Sequence, residues 1–114
     1  MATQPDPSAL PPLLASVCDP LGALQRLAVD IYGTYDRDKA LLWLCEELGE
    51  LIQAIRQNRS PAEIGAEYSD VLTWVICLSN ILGLSLSDAA QGALLKEVTR
   101  QMRTYGELKY WQRE

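Results

Sequence analysis

Apolar residues recur at helical, not strand, spacing along most of this chain. Between residues 37 and 58, Leu41, Leu44, Leu48, Leu51, Ile52 and Ile55 fall on one stripe. That 3.6-residue period predicts a helix, and Asp36 stands ready to cap its start. Asn58-Arg59-Ser60-Pro61 is a turn signal. Ser60-Pro61-Ala62-Glu63 then opens a third helix, because Ser60 suits the N-cap, Pro61 the first turn, and Glu63 completes a capping box. This helix runs to about Leu82, apolar on nearly every side, and Gly83 ends it. An earlier helix spans about Leu21 to Tyr32 and is closed by Gly33. A later one, capped by Ser85 or Ser87, covers about 88–104 and closes near Gly106. No segment alternates like a strand. The predicted fold class is all-α: four helices with short connections, neighbours antiparallel, bundle-like.

Residues 1–20 hold five of the six prolines and read as an arm without regular structure. The helical domain is expected at 21–106, followed by a polar tail at 107–114 that carries Trp111. A chain of 114 residues fits one domain. Burying only about two thirds of its unfolded surface, it gains from association. A helix apolar all round, in a chain of four short helices, predicts at least a homodimer, or a homotetramer, to complete the bundle. Val71 to Ser87 carries no charge over 17 residues. That is short of the ~20 needed for a membrane span, so it reads as a bundle helix. The first residues lack a charged signal-peptide region. Cys18, Cys45 and Cys77 form no paired motif, which fits a reduced, cytoplasmic setting. Cys45 and Cys77 sit among apolar neighbours and are expected in the core.

Charge narrows the chemistry. A net charge of −5 argues against duplex nucleic acid or an anionic membrane as partner. The chain has no histidine. That excludes Ser-His-Asp and Cys-His catalysis and the usual zinc sites. What remains prominent is two acidic pairs, Glu47-x-x-Glu50 and Glu67-x-x-Asp70. Each pair projects from one helix face. Folding the chain back at Ser60 puts Glu50 roughly 13 Å before the turn and Glu67 roughly 10 Å after it, at ~1.5 Å per residue. Glu47 and Asp70 lie one turn further on. Four carboxylates at one level repel unless a cation sits among them, and Mg²⁺ or Mn²⁺ prefers such oxygen ligands. Taken alone, Glu46, Glu47 and Glu50 also read as a solvated face, opposite the stripe centred on Leu48. Trp43 and Ala54 lie on that same face and argue that it meets something. Glu67 and Asp70 share their face with Trp74, Cys77 and Ile81, where uncompensated charge is costly.

The run Leu44-Cys45-Glu46-Glu47-Leu48-Gly49-Glu50-Leu51, followed after a 16-residue spacer by Glu67-Tyr68-Ser69-Asp70-Val71-Leu72, resembles the all-α nucleoside triphosphate pyrophosphohydrolases of the MazG type. Their pattern is EExxE, a spacer, then ExxD. Ile81-Leu82-Gly83-Leu84-Ser85-Leu86 with Ala89 resembles their turn into the fourth helix. The resemblance covers about residues 37–105. It implies Mg²⁺-dependent cleavage of a nucleoside triphosphate between its α and β phosphates, giving a monophosphate and pyrophosphate. It further implies that Glu47, Glu50, Glu67 and Asp70 hold the metal. Glu46 and Glu47 are the implied catalytic acids, with Glu46 positioning or deprotonating the attacking water.

Lys96, Arg100 and Arg103 form one stripe of the fourth helix, either a solvated basic face or a set of phosphate contacts. Here the chain departs from the family: Arg100 stands where asparagine is common, and Gly106 where proline is. Trp43 and Trp74 are candidates for stacking on a base, Trp74 equally for the core. Asn80 is a candidate for reading a base edge or for a helix contact. Two rival readings are a phosphoribosyl-ATP pyrophosphohydrolase and a non-catalytic helical module that dimerises through its apolar helices.

Overall fold

The computed structural model describes residues 19–34 and 36–110. Four helices follow in order: α1 (Pro20–Tyr32), α2 (Arg37–Arg56), α3 (Pro61–Leu82) and α4 (Leu86–Tyr105). No strand occurs among the described residues, so the fold is all-α. The expected N-terminal arm, apart from Asp19 and Pro20, lies outside the described residues, as do Cys18 and Trp111. Two compact units are distinguished. Residues 21–86 contain α1, α2 and α3, and residues 87–110 contain most of α4.

Local chemistry sets the helix ends. The Asp36 carboxylate accepts from the Lys39 backbone N–H at 3.1 Å and starts α2. Such an N-cap contributes about 1 kcal/mol. The end of α2 falls at Arg56, two residues before the expected limit. Asn58 adopts a left-handed φ of 53°, and the Arg59 N–H donates to the Ala54 carbonyl at 3.1 Å. A left-handed asparagine with this long back-bond is a helix stop that satisfies an otherwise orphaned carbonyl. Ser60 then caps α3, its Oγ accepting from the Glu63 N–H at 3.2 Å and donating to Glu63 Oε1 at 3.1 Å. Gly83, at φ 68°, ends α3, and the Leu84 N–H donates to the Ser79 carbonyl at 2.9 Å. α4 begins at Leu86, two residues earlier than the pattern predicted. The reason lies far away in sequence. Gln25 of α1 accepts from the Leu86 N–H through Oε1 and donates to the Leu84 carbonyl through Nε2.

α2 and α3 form the antiparallel hairpin predicted around the turn at Ser60. Its register is visible in side chains: Trp43 packs on Trp74, and Glu50 meets Glu67. The same register brings Ala40 level with Cys77, and both are buried. The packed side of α2 differs from the stripe centred on Leu48. Ala40 and Ala54 are 0% exposed and Leu51 is buried with them. Leu41, Leu48, Ile52 and Ile55 remain 44 to 50% exposed. The two alanines explain the choice, because small side chains at both ends of the seam let the helices approach closely. The seam between them is then filled by the tryptophans and acids. Cys77 is buried as expected, whereas Cys45 is exposed, since it sits off this seam.

Within residues 21–86 the buried side chains are few and small. Ala28, Ala40, Leu51, Ala54 and Cys77 make up the core among the described residues. α3 is only half covered along most of its length, with Tyr68, Leu72 and Leu82 exposed. No single described helix is long and apolar enough to cross a membrane.

Candidate metal centre

The centre of the α2–α3 seam is acidic. One carboxylate oxygen from each of Glu47, Glu50 and Glu67 lies within 4.8 Å of the others. Helical spacing brings Glu47 and Glu50 to one side of α2, and the hairpin register brings Glu67 opposite. Asp70, one turn beyond Glu67, stands outside this tight trio, yet its charge is felt at both Glu47 and Glu67. Glu46 is exposed and also outside the trio.

The electrostatics match a crowded site. Partial burial pushes the Glu47 carboxyl above its ordinary value, and Glu50, Asp70 and Glu67 push it further. Glu67 is raised for the same reasons, burial first, then Glu50 and Asp70. The Arg59 charge opposes this shift at Glu67. Oε2 of Glu47 and Oε2 of Glu67 are both buried without a hydrogen-bond partner. A buried acceptor left unpaired costs about 1–3 kcal/mol, more for a charged one. Proteins tolerate such atoms where a proton, an ion or a ligand completes them. Three convergent carboxylates with two orphaned oxygens fit a hard divalent cation, which takes oxygen donors. The residues present therefore suit Mg²⁺ or Mn²⁺.

The aromatic pair adjoins the acids on the side away from the turn. Trp43 and Trp74 pack with centroids 4.8 Å apart and planes tilted by 48°. Both indoles are half-buried. Asn80 donates from Nδ2 to the Gln25 carbonyl at 3.0 Å, so its amide ties α3 to α1. On α4, Arg100 forms a short ion pair with Glu97 at 2.6 Å, both side chains about half exposed. That guanidinium holds the Glu97 carboxyl down to about 2. Lys96 and Arg103 are exposed on the same helix. Arg59 was legible in the sequence only as a turn residue. The signal for more was its position, a cation directly before the N-cap of an acid-bearing helix.

A family model for the MazG nucleotide pyrophosphohydrolase domain matches residues 36–104. The match spans both acidic pairs, the tryptophan pair and the basic stripe of α4. The chain belongs to the MazG family. The match takes in the α2–α3 hairpin and its acidic seam. No curated protein and no solved structure matches the chain significantly.

Proposed function

We propose that this MazG domain is a divalent-metal-dependent nucleoside triphosphate pyrophosphohydrolase. It hydrolyses a ribo- or deoxyribonucleoside triphosphate to the monophosphate and pyrophosphate, a reaction suited to clearing unwanted nucleotides from the pool. Water adds across the α–β anhydride bond, and no other co-reactant is needed. The observation that carries this reading is the convergence of Glu47, Glu50 and Glu67 with two orphaned oxygens, inside the segment that matches the family.

Glu47, Glu50 and Glu67 would hold the cation, with Asp70 completing the set from the next turn of α3. A divalent ion there supplies charge neutralisation to the polyphosphate and lowers the pKa of water. Glu46, exposed and outside the trio, would position the attacking water or accept its proton. The half-buried indoles of Trp43 and Trp74 offer apolar surface for the base one turn from the acids. Lys96, Arg100 and Arg103 would contribute phosphate contacts, Arg100 after giving up its pairing with Glu97. The working form is a homodimer or homotetramer. The sparse core and the exposed stripe of α2 support that state.

The test is a pyrophosphate-release screen over a panel of nucleotides with Mg²⁺ and Mn²⁺, phosphoribosyl-ATP included. Release from ordinary or modified nucleoside triphosphates supports the reading. Release from phosphoribosyl-ATP alone, or from nothing, overturns it.

A further inference from the structure

α2 carries a second apolar face, turned away from α3. Leu41, Cys45, Leu48, Ile52 and Ile55 follow at steps of four, three, four and three residues, and all five are exposed. That alternation is the repeat by which two helices interlock along a stripe. Ala40, Leu51 and Ala54, which are buried toward α3, fall at other places of the repeat, and so do Glu47 and Glu50. One flank of the stripe is open. Leu42, Gly49 and Arg56 recur along it at intervals of seven residues, and all three are exposed. A groove of about 400 Å³ runs beside it, lined by Gly49, Ile52, Gln53, Arg56 and Gln57. Gly49 leaves room at the middle of this flank, where even a Cβ would meet nothing within 4 Å.

The occupant that fits this face is a second α2 running the other way. The stripe reads nearly the same from either end, with Leu41 and Ile55 each seven residues from Leu48. In a two-fold antiparallel pair each flank meets its own counterpart with the ends exchanged. Leu42 then comes over the partner's groove, and the apolar stem of Arg56 covers the partner's Leu42. Gly49 lies near the axis, where its missing side chain lets the helices approach. Charge selects the same direction. Asp38 extends the stripe at its first end, and Arg56 borders it at the last. The contact of Asp38 with Arg37, at 3.6 Å between exposed side chains, is weak. Antiparallel pairing brings Asp38 toward the partner's Arg56, whereas parallel pairing sets Arg56 against Arg56. It also opposes the two helix dipoles.

We propose that the outward face of α2 is a self-recognition surface, on which two copies of the chain pair antiparallel about Leu48 and Gly49. Trp43, Glu47 and Glu50 stand at places of the repeat turned from the partner, so each copy keeps its acidic seam clear of the interface. The inference rests on the self-association proposed above, and adds its surface, direction and register. It does not depend on the reaction.

The experiment cross-links the full chain with a short bismaleimide, in a background of Cys18→Ser and Cys45→Ala. Cys77 is buried and is kept. Leu42→Cys and Arg56→Cys are made in separate chains, purified alone and also co-expressed. Both positions are exposed and lie beside the apolar stripe, so helicity by circular dichroism and mass by light scattering should match the background. In the antiparallel pair the two copies of position 42 are roughly 20 Å apart at ~1.5 Å per residue, while position 42 lies beside the partner's position 56. Neither variant alone should therefore cross-link, and the co-expressed pair should give a covalent dimer joined from 42 to 56 by peptide mapping. Should these variants assemble poorly, Leu41→Cys with Ile55→Cys repeats the comparison at the two ends of the stripe. Cross-links within Leu42→Cys alone mean parallel pairing and overturn the proposal. No link in the co-expressed pair, or a monomeric chain, means that no second α2 lies on this face and overturns it too. Cross-linking reads no turnover, so its failure leaves the pyrophosphohydrolase reading standing, and an inactive wild type leaves the pairing standing.

Discussion

Trp43 on α2 and Trp74 on α3 pack against each other at 4.8 Å in the same seam that holds Glu47, Glu50 and Glu67. Trp43 precedes Glu47 by one helical turn, and Trp74 follows Asp70 by one. The hairpin register that gathers the acids therefore also gathers the indoles. An aromatic surface and a hard-cation site side by side suit a nucleotide better than a simple phosphate ester.

Trp43→Ala should raise KM for the preferred nucleotide by the equivalent of about 1–3 kcal/mol, the usual value of base–aromatic stacking. Its kcat should change less, because stacking holds the base and not the reacting phosphates. The same change removes an aromatic pair worth about 0.5–1.5 kcal/mol, so the melting temperature should fall modestly. Trp43→Phe separates the two effects by keeping an aromatic ring. An unaltered KM in Trp43→Ala would move the base site elsewhere and leave this indole a packing role.

Glu50→Gln and Asp70→Asn should each abolish pyrophosphate release while keeping the helical fold. The loss should exceed the roughly 10–100-fold typical of removing an outer partner of a metal ligand. Neither variant should be less stable without metal, because a neutral amide relieves repulsion among the acids. Wild type should melt higher in millimolar Mg²⁺, by about 2.7 kcal/mol of stability at a hundred times Kd, since only the folded seam binds the ion. Full activity in Glu50→Gln, with no response of wild-type melting to Mg²⁺, would remove the four-carboxylate site.

The hairpin and its acids were legible in the sequence because helix punctuation is local. Asp36, Ser60-Pro61 and Gly83 each announce a cap or stop within a few residues, and similar distances from the turn at Ser60 then bring the acidic pairs level. What was not legible depends on distant chemistry. The packed side of α2 is chosen by Ala40 and Ala54 allowing close approach, not by the larger stripe of Leu41, Leu48, Ile52 and Ile55. Leu86 starts α4 because Gln25, 61 residues earlier, accepts its N–H. Cys45 looked like core by its neighbours, yet its place off the seam exposes it. The candidate roles of Asn80 and Arg100 were left open by spacing alone. Their hydrogen bonds to Gln25 and Glu97 show what each side chain holds in the protein without ligand.

The apo protein should gain stability as pH falls from neutrality toward the carboxylate range. Glu47 and Glu67 are raised in the folded state above the ordinary value of 4.5. Protonation therefore favours folding, and this contribution is fully present below 4.5 and lost as pH rises through the raised folded values. Glu97 acts oppositely, its pairing with Arg100 being lost as pH falls from 4.5 toward about 2. Stability measured by urea unfolding with chelator present should thus rise below neutrality and decline again in stronger acid. In Glu47→Gln the rise should shrink. Saturating Mg²⁺ should flatten it as well, because metal binding requires the deprotonated carboxylates.

The exposed stripe of α2 leads to the last prediction. Leu41, Leu48, Ile52 and Ile55 repeat at i, i+7, i+11 and i+14, so they form one continuous apolar seam facing away from α3. A core whose largest member is Leu51 supplies little burial for a chain of this length. A second copy laid along this stripe would bury both seams and complete a four-helix arrangement. Light scattering at micromolar concentration should therefore report at least a dimer. Ile52→Glu distinguishes the two states by energy. On a free surface such a change stays within about ±0.5 kcal/mol. In a buried interface it strands a charge among apolar partners and costs several kcal/mol. Ile52→Glu should thus dissociate the assembly and lower its melting temperature sharply. A monomeric wild type whose stability ignores Ile52→Glu would show that the stripe is simply solvent-facing.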